Sequence, residues 1–197
     1  MNLTRAERNA IEREGIIHIL ALLTSIESDD PVSLEDIEIV TDLYRQYKGI
    51  DYIVKGIKID SKYHTRPSKK QKRTPYGVNA LSIEVTTRNG ALGWGINPDK
   101  ETDLIIDYIK DTAVYFIDSC ALREYMAVNY MNYNTWYSQE GQEDYRGVLV
   151  ADLIDSGIIV AYATGKDMKI LRPQIELIQE NSYYKENMIP VINTLQS

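Results

Sequence analysis

The chain has 197 residues, 44% of them hydrophobic and 26% charged, with a net charge of −7. That composition excludes a wholly disordered protein and supplies a core that needs no staples. Cys120 is the lone cysteine, which excludes a disulfide framework and a cysteine zinc site and points to a reducing, cytoplasmic setting.

Thr4 to Thr24 predicts a helix, with Thr4 and Glu7 as a capping box and Ile11, Ile16, Ile19, Leu20 and Leu23 as the apolar stripe. The longest apolar run, Ile16–Leu23, is interrupted by His18 and falls short of the roughly 18 residues of a membrane span. Met1–Arg5 lacks the apolar core and cleavage site of a signal peptide. Ser28–Pro31 predicts a turn. Ser33 is a candidate cap for a second helix running from Leu34 to about Tyr47, closed by Lys48-Gly49.

The period then changes from helical to two. Asp51–Val54 and Ile57–Tyr63 predict two strands around a tight Lys55-Gly56 turn, and Leu81–Thr86 a third. Asn89–Gly95 is a glycine-rich turn holding Trp94. Asp103–Ile109 and Ala113–Ile117 predict two more strands, and Ser119 caps a helix through Tyr130. Asn132–Arg146 is polar and tyrosine-rich, so irregular. Ile158–Ala163 predicts a last strand and Pro173–Ser182 a C-terminal helix. The expected architecture is α/β (α+β): one mixed central sheet flanked by helices, a single domain over 1–165 with a helical extension over 166–197.

The chemistry concentrates between Asp51 and Glu84. Asp60 and Lys62 sit two apart on one strand and share a face, and the hairpin brings Asp51 to that face. Magnesium takes hard oxygen ligands, usually one or two carboxylates completed by water and substrate phosphate. A nearby ammonium holds water or contacts the phosphate. Glu84 shares a face with Ser82 and Thr86 and could reach the same cluster.

Asp51 followed by Ile59-Asp60-Ser61-Lys62 resembles the PD-(D/E)XK nuclease superfamily, an acid on one strand and acid-x-lysine on the next. Ser82-Ile83-Glu84-Val85, Gly93-Trp94, Asp103–Tyr108 and Leu122–Tyr125 are similar to the continuation in small phage and archaeal-virus members. The resemblance spans about residues 34–126, with Ile50 where the family name has proline and Asp60 where glutamate is commoner. It implies a restriction-endonuclease-like fold and a DNA nuclease using Mg²⁺ or Mn²⁺. Asp51 and Asp60 would bind metal, Lys62 would position water and steady the phosphate, and Glu84 would complete the catalytic set. It also implies a further metal-binding glutamate from the preceding helix, for which Glu38 is the candidate, with Glu35 and Glu14 as rivals.

His64–Gly77 holds Arg66, Lys69, Lys70, Lys72 and Arg73 with no acid, a basic loop on an otherwise acidic chain. It is a candidate DNA contact or a solvated loop. His64 follows Lys62 by two, which predicts a shared face and makes it a candidate phosphate contact, and Trp94 is a packing residue or a base platform. Tyr183 and Tyr184 could serve a homodimer, which junction-cutting relatives form. The competing reading is a non-catalytic viral accessory or anti-defence protein on the same fold, binding a host protein or DNA.

Overall fold

A computed structural model describes residues 4–25, 32–137 and 143–164. The elements in chain order are α1 (Arg5–Ser25), β1 (Ile37–Ile39), α2 (Leu43–Tyr47), β2 (Tyr52–Val54), β3 (Ile57–His64), β4 (Arg73–Thr74), β5 (Gly77–Val78), β6 (Ala80–Thr86), β7 (Leu104–Ile109), β8 (Ala113–Asp118), α3 (Ser119–Asn129), β9 (Thr135–Tyr137), β10 (Asp144–Leu149), α4 (Val150–Asp155) and β11 (Ile159–Thr164).

The fold is mixed α/β, as expected. A six-stranded sheet runs in the order β1-β2-β3-β7-β8-β11. Its only parallel pair is β3 with β7, and the other neighbours are antiparallel. Central β7 is buried on both faces, which suits its Leu-Ile-Ile run. One face, with Ile57, Ile59, Ile106 and Phe116, packs on Ile19, Leu22 and Leu23 of α1. The other, with Ile105, Ile109, Tyr115 and Ile117, packs on Leu81, Ile83 and Val85 of β6 and on Leu122 and Met126 of α3. Burying these β-branched and aromatic side chains supplies the main driving force, roughly 1.5–3 kcal/mol for each large one.

Several local expectations hold. Thr4 N donates to Glu7 Oε2 at 2.7 Å, and Glu7 N returns to Thr4 Oγ1 at 3.3 Å, closing the capping box. Lys55 (φ 48°) and Gly56 (φ 86°) form the two-residue hairpin turn with both residues in the left-handed region. Strand β6 alternates as predicted, with Leu81, Ile83 and Val85 buried and Ser82, Glu84 and Thr86 more exposed.

Four expectations are corrected. Residues 34–47 are not one helix: Leu34–Asp36 make a single 3-10 turn, Ile37–Ile39 form β1, and α2 has five residues. Ser33 N does donate to Asp36 Oδ2, at 2.7 Å, but the β-branched Ile-Glu-Ile run that follows pairs with β2 and ends the helix after one turn. Asp118, not Ser119, caps α3, accepting from Ala121 N at 2.9 Å. The polar segment 132–146 contributes β9 and the start of β10. Strand β6 leaves the central sheet and joins β10 and β9 in a second, three-stranded sheet. The predicted Ser28–Pro31 turn and the helical extension, with Tyr183 and Tyr184, lie outside the described residues. Among the described residues no helix is long and apolar enough to cross a membrane.

Candidate active site

The β2–β3 hairpin sets the centre of the site. Tyr52 pairs with Ile59, so Asp51 and Asp60 fall one step further toward the open end, beside each other. The backbone is fixed on both sides: Asp51 N donates to Ile59 O at 2.8 Å, and Val40 N donates to Asp51 O at 2.9 Å. The Asp51 carboxylate accepts from Ser61 N at 2.8 Å and from Ser61 Oγ at 3.0 Å, both through Oδ2. Ser61, the variable residue of the acid-x-lysine motif, thus orients the first acid.

Asp60 is only 4% exposed. Lys62 Nζ donates to its Oδ1 at 2.8 Å. Burial pushes the Asp60 pKa up to about 6, with Lys62 opposing the rise and Asp51 adding to it. Burial of the Lys62 ammonium favours its neutral form, but Asp60, and behind it Asp51 and Glu84, hold its pKa above the ordinary value. The Nζ also lies 5.4 Å from the centroid of the Trp94 ring, a cation–π distance.

Glu84 arrives from the second sheet. It lines the same cleft of about 800 Å³ as Asp51, Asp60 and Lys62. Trp94 N and Tyr145 Oη each approach its carboxylate at 3.5 Å. Burial raises its pKa, against the Trp94 N–H and Lys62. Trp94 is held there by glycines: Gly93 N donates to Val85 O at 2.8 Å and Gly95 N to Glu84 O at 3.0 Å. The turn lies so close to β6 that a Cβ on Gly93 would come within 2.5 Å of Glu84 O.

Two cleft residues carried no sequence signal. Lys100, between the glycine turn and β7, lines the cleft and donates to Tyr47 O. Burial lowers its pKa although Asp60 favours its charge. Glu12 of α1 lines the opposite wall. Ile11, Gly15 and Ile16 of the same helix line the cleft beside it.

The structure brings Asp51, Asp60, Lys62 and Glu84 together and leaves the other candidates apart. Glu38 does not line the cleft. It sits on β1, half exposed, with Arg45 Nη1 2.5 Å from its Oε1, because the expected helix that would have turned it inward is a strand. Its rivals are also elsewhere: Glu14 is ion-paired with Lys110 and Glu35 is exposed on the 3-10 turn. His64 lies at the far end of β3 with Nε2 3.2 Å from buried Asp107 Oδ1. Burial disfavours its charged form, yet Asp107 prevails and its pKa is raised. None of Arg66, Lys69, Lys70, Lys72 or Arg73 lines the cleft. Their segment is tied to the second sheet by Gln71 Nε2 donating to Ala80 O at 2.9 Å, and Lys70 Nζ lies 5.8 Å from the Trp136 ring centroid.

Among the described residues no group of three or more His, Cys, Asp and Glu converges closely enough to hold a metal ion. The acid pair nevertheless fits a hard divalent cation that draws its remaining ligands from water and phosphate. Asp51 and Asp60 face each other across the hairpin register, and the Asp51 charge adds to the rise in the Asp60 pKa. Comparisons of the chain with known protein families, with curated proteins and with solved structures found no match.

Proposed function

We propose that this chain is a metal-dependent nuclease of the PD-(D/E)XK type that hydrolyses DNA phosphodiester bonds. The observation that carries the reading is the convergence of Asp51, Asp60 and Lys62 at the end of one hairpin, Asp60 buried and in contact with Lys62 Nζ at 2.8 Å. Asp51 and Asp60 would hold Mg²⁺ or Mn²⁺. When bound, such a cation lowers the pKa of water and offsets charge on the phosphate. Lys62 keeps its proton and donates to a phosphate oxygen or to the attacking water. Glu84, its pKa raised by burial, is suited to accept a hydrogen bond from that water or take up its proton. Ser61 locks the Asp51 carboxylate so that no rotamer must be ordered during the reaction.

The test is cleavage of labelled single-stranded, duplex and four-way-junction DNA with Mg²⁺, Mn²⁺ or EDTA. The expected result is metal-dependent cutting that Asp60→Ala and Lys62→Ala abolish. Folded protein that cuts no DNA with either metal would overturn the reading.

A further inference from the structure

The cleft carries more than acids. Two of its lysines each pair with an aromatic ring: Lys62 Nζ is 5.4 Å from the Trp94 centroid, and Lys100 Nζ is 5.2 Å from the Tyr47 centroid. Both pairs line the cavity that holds Asp51 and Asp60. Its rim is apolar and open to solvent: Tyr47 is 68% exposed, Leu92 49%, Ile39 48% and Ile16 36%.

Such a rim gives nothing to the outside of a duplex, whose protein contacts go mostly to phosphate and sugar. It suits unpaired bases, which stack on aromatic faces whatever their sequence. Size argues the same way. The cleft volume of about 800 Å³ is that of a pocket for one small ligand, roughly 300–1,000 Å³. Nucleotides of one strand fit that volume, and only unpaired bases are free to turn onto its aromatic rings. The α1 wall is seated firmly, since a Cβ on Gly15 would lie 2.9 Å from Tyr63 Cβ. The five basic side chains that would follow a duplex backbone lie outside the cleft.

Resting on the nuclease reading, we infer that this cleft takes an unpaired DNA strand, with bases against Trp94 and Tyr47 and the phosphate at Asp60 and Lys62. The substrate class is therefore single-stranded DNA, or the unpaired part of a flap or frayed end.

The chain has two tryptophans, so Trp136→Phe leaves Trp94 as the sole reporter. That variant is titrated with oligo-dT and with a blunt hairpin duplex of equal length closed by a non-nucleotide linker, in Ca²⁺ and with the DNA checked for integrity. Oligo-dT is expected to quench Trp94 fluorescence saturably and the hairpin is not. Adding Tyr47→Ala, at an exposed position, weakens oligo-dT binding about tenfold, and Tyr47→Phe restores it. Equal or tighter binding of the hairpin, or quenching indifferent to Tyr47→Ala, would overturn the inference. Because binding is read without hydrolysis, the two readings fail separately. A chain that stacks the strand but never cuts keeps this inference and loses the nuclease. One that cuts duplex with no quenching loses only this inference.

Discussion

Lys62 reaches back along its own strand to set Nζ 2.8 Å from Asp60 Oδ1. Residues two apart on a strand share a face, so this contact costs little ordering, and it keeps the ammonium charged beside the carboxylate. A charged donor fixed in a water-poor site is worth far more to a developing anion than one free in solvent. Lys62→Met is expected to lower kcat by about 100- to 1,000-fold and to leave divalent-cation binding in place. Calorimetric titration with Mn²⁺ beside a cleavage assay separates the two effects.

Asp60 makes stability depend on pH. Its pKa is about 6 in the fold against about 3.9 in an unfolded chain. Between those values the folded state binds more protons than the unfolded one. Stability from this group therefore falls as pH rises from about 4 to about 6 and stays reduced above that. Thermal melts in EDTA should show this decline, and Asp60→Asn should flatten it. At pH 7, Mg²⁺ at a hundredfold excess over its Kd should add about 2.7 kcal/mol, or roughly 5–10 °C in Tm for a chain of this size.

Glu38 lies outside the cleft that sequence alone assigns it to, and Glu12 of α1 lies in it. Glu38 forms an exposed ion pair with Arg45, so Glu38→Gln should leave cleavage unchanged and cost less than about 1 kcal/mol of stability. Glu12 lines the cleft beside Asp51, Asp60 and Glu84, so Glu12→Gln should lower cleavage, by less than Asp60→Ala does. Initial rates of the two variants, taken at several Mg²⁺ concentrations, check both outcomes.

Gly93 has no space for a methyl group, because the nearest atom would be the backbone oxygen of Glu84 at 2.5 Å. Gly93→Ala must displace the turn, and such overpacking costs about 1–3 kcal/mol. Trp94 moves with the turn. Denaturant melts should show the loss of stability, and a shift in tryptophan emission should accompany it.

The hairpin was the most legible part of the chain. Asp51, the Lys55-Gly56 turn and Asp60-x-Lys62 are local, and strand alternation alone predicts their common face. Buried β7 and β8 announced themselves by apolar runs. What sequence concealed was non-local. Leu34–Tyr47 carries helical spacing and a valid cap, but pairing of Ile37–Ile39 with β2 outweighs propensity. The transfer of β6 to a second sheet follows from β9 and β10, strands that lack alternation. Lys100 and Glu12 belong to the site only through the packing of the glycine turn and α1, which no spacing encodes.

The two-residue turn between β2 and β3 also sets a timetable. Asp51 and Asp60 are neighbours in a segment that closes as a hairpin, an event of about 1–10 μs. Glu84, Trp94 and Lys100 reach the cleft only after distant strands have docked. The acid pair and Lys62, which sits 2.8 Å from Asp60, thus belong to one local unit, whereas the rest of the cleft depends on contacts far apart in the chain. A chain with only this hairpin closed would already place Asp60 beside Lys62 and Asp51, while every other wall of the cleft was still missing.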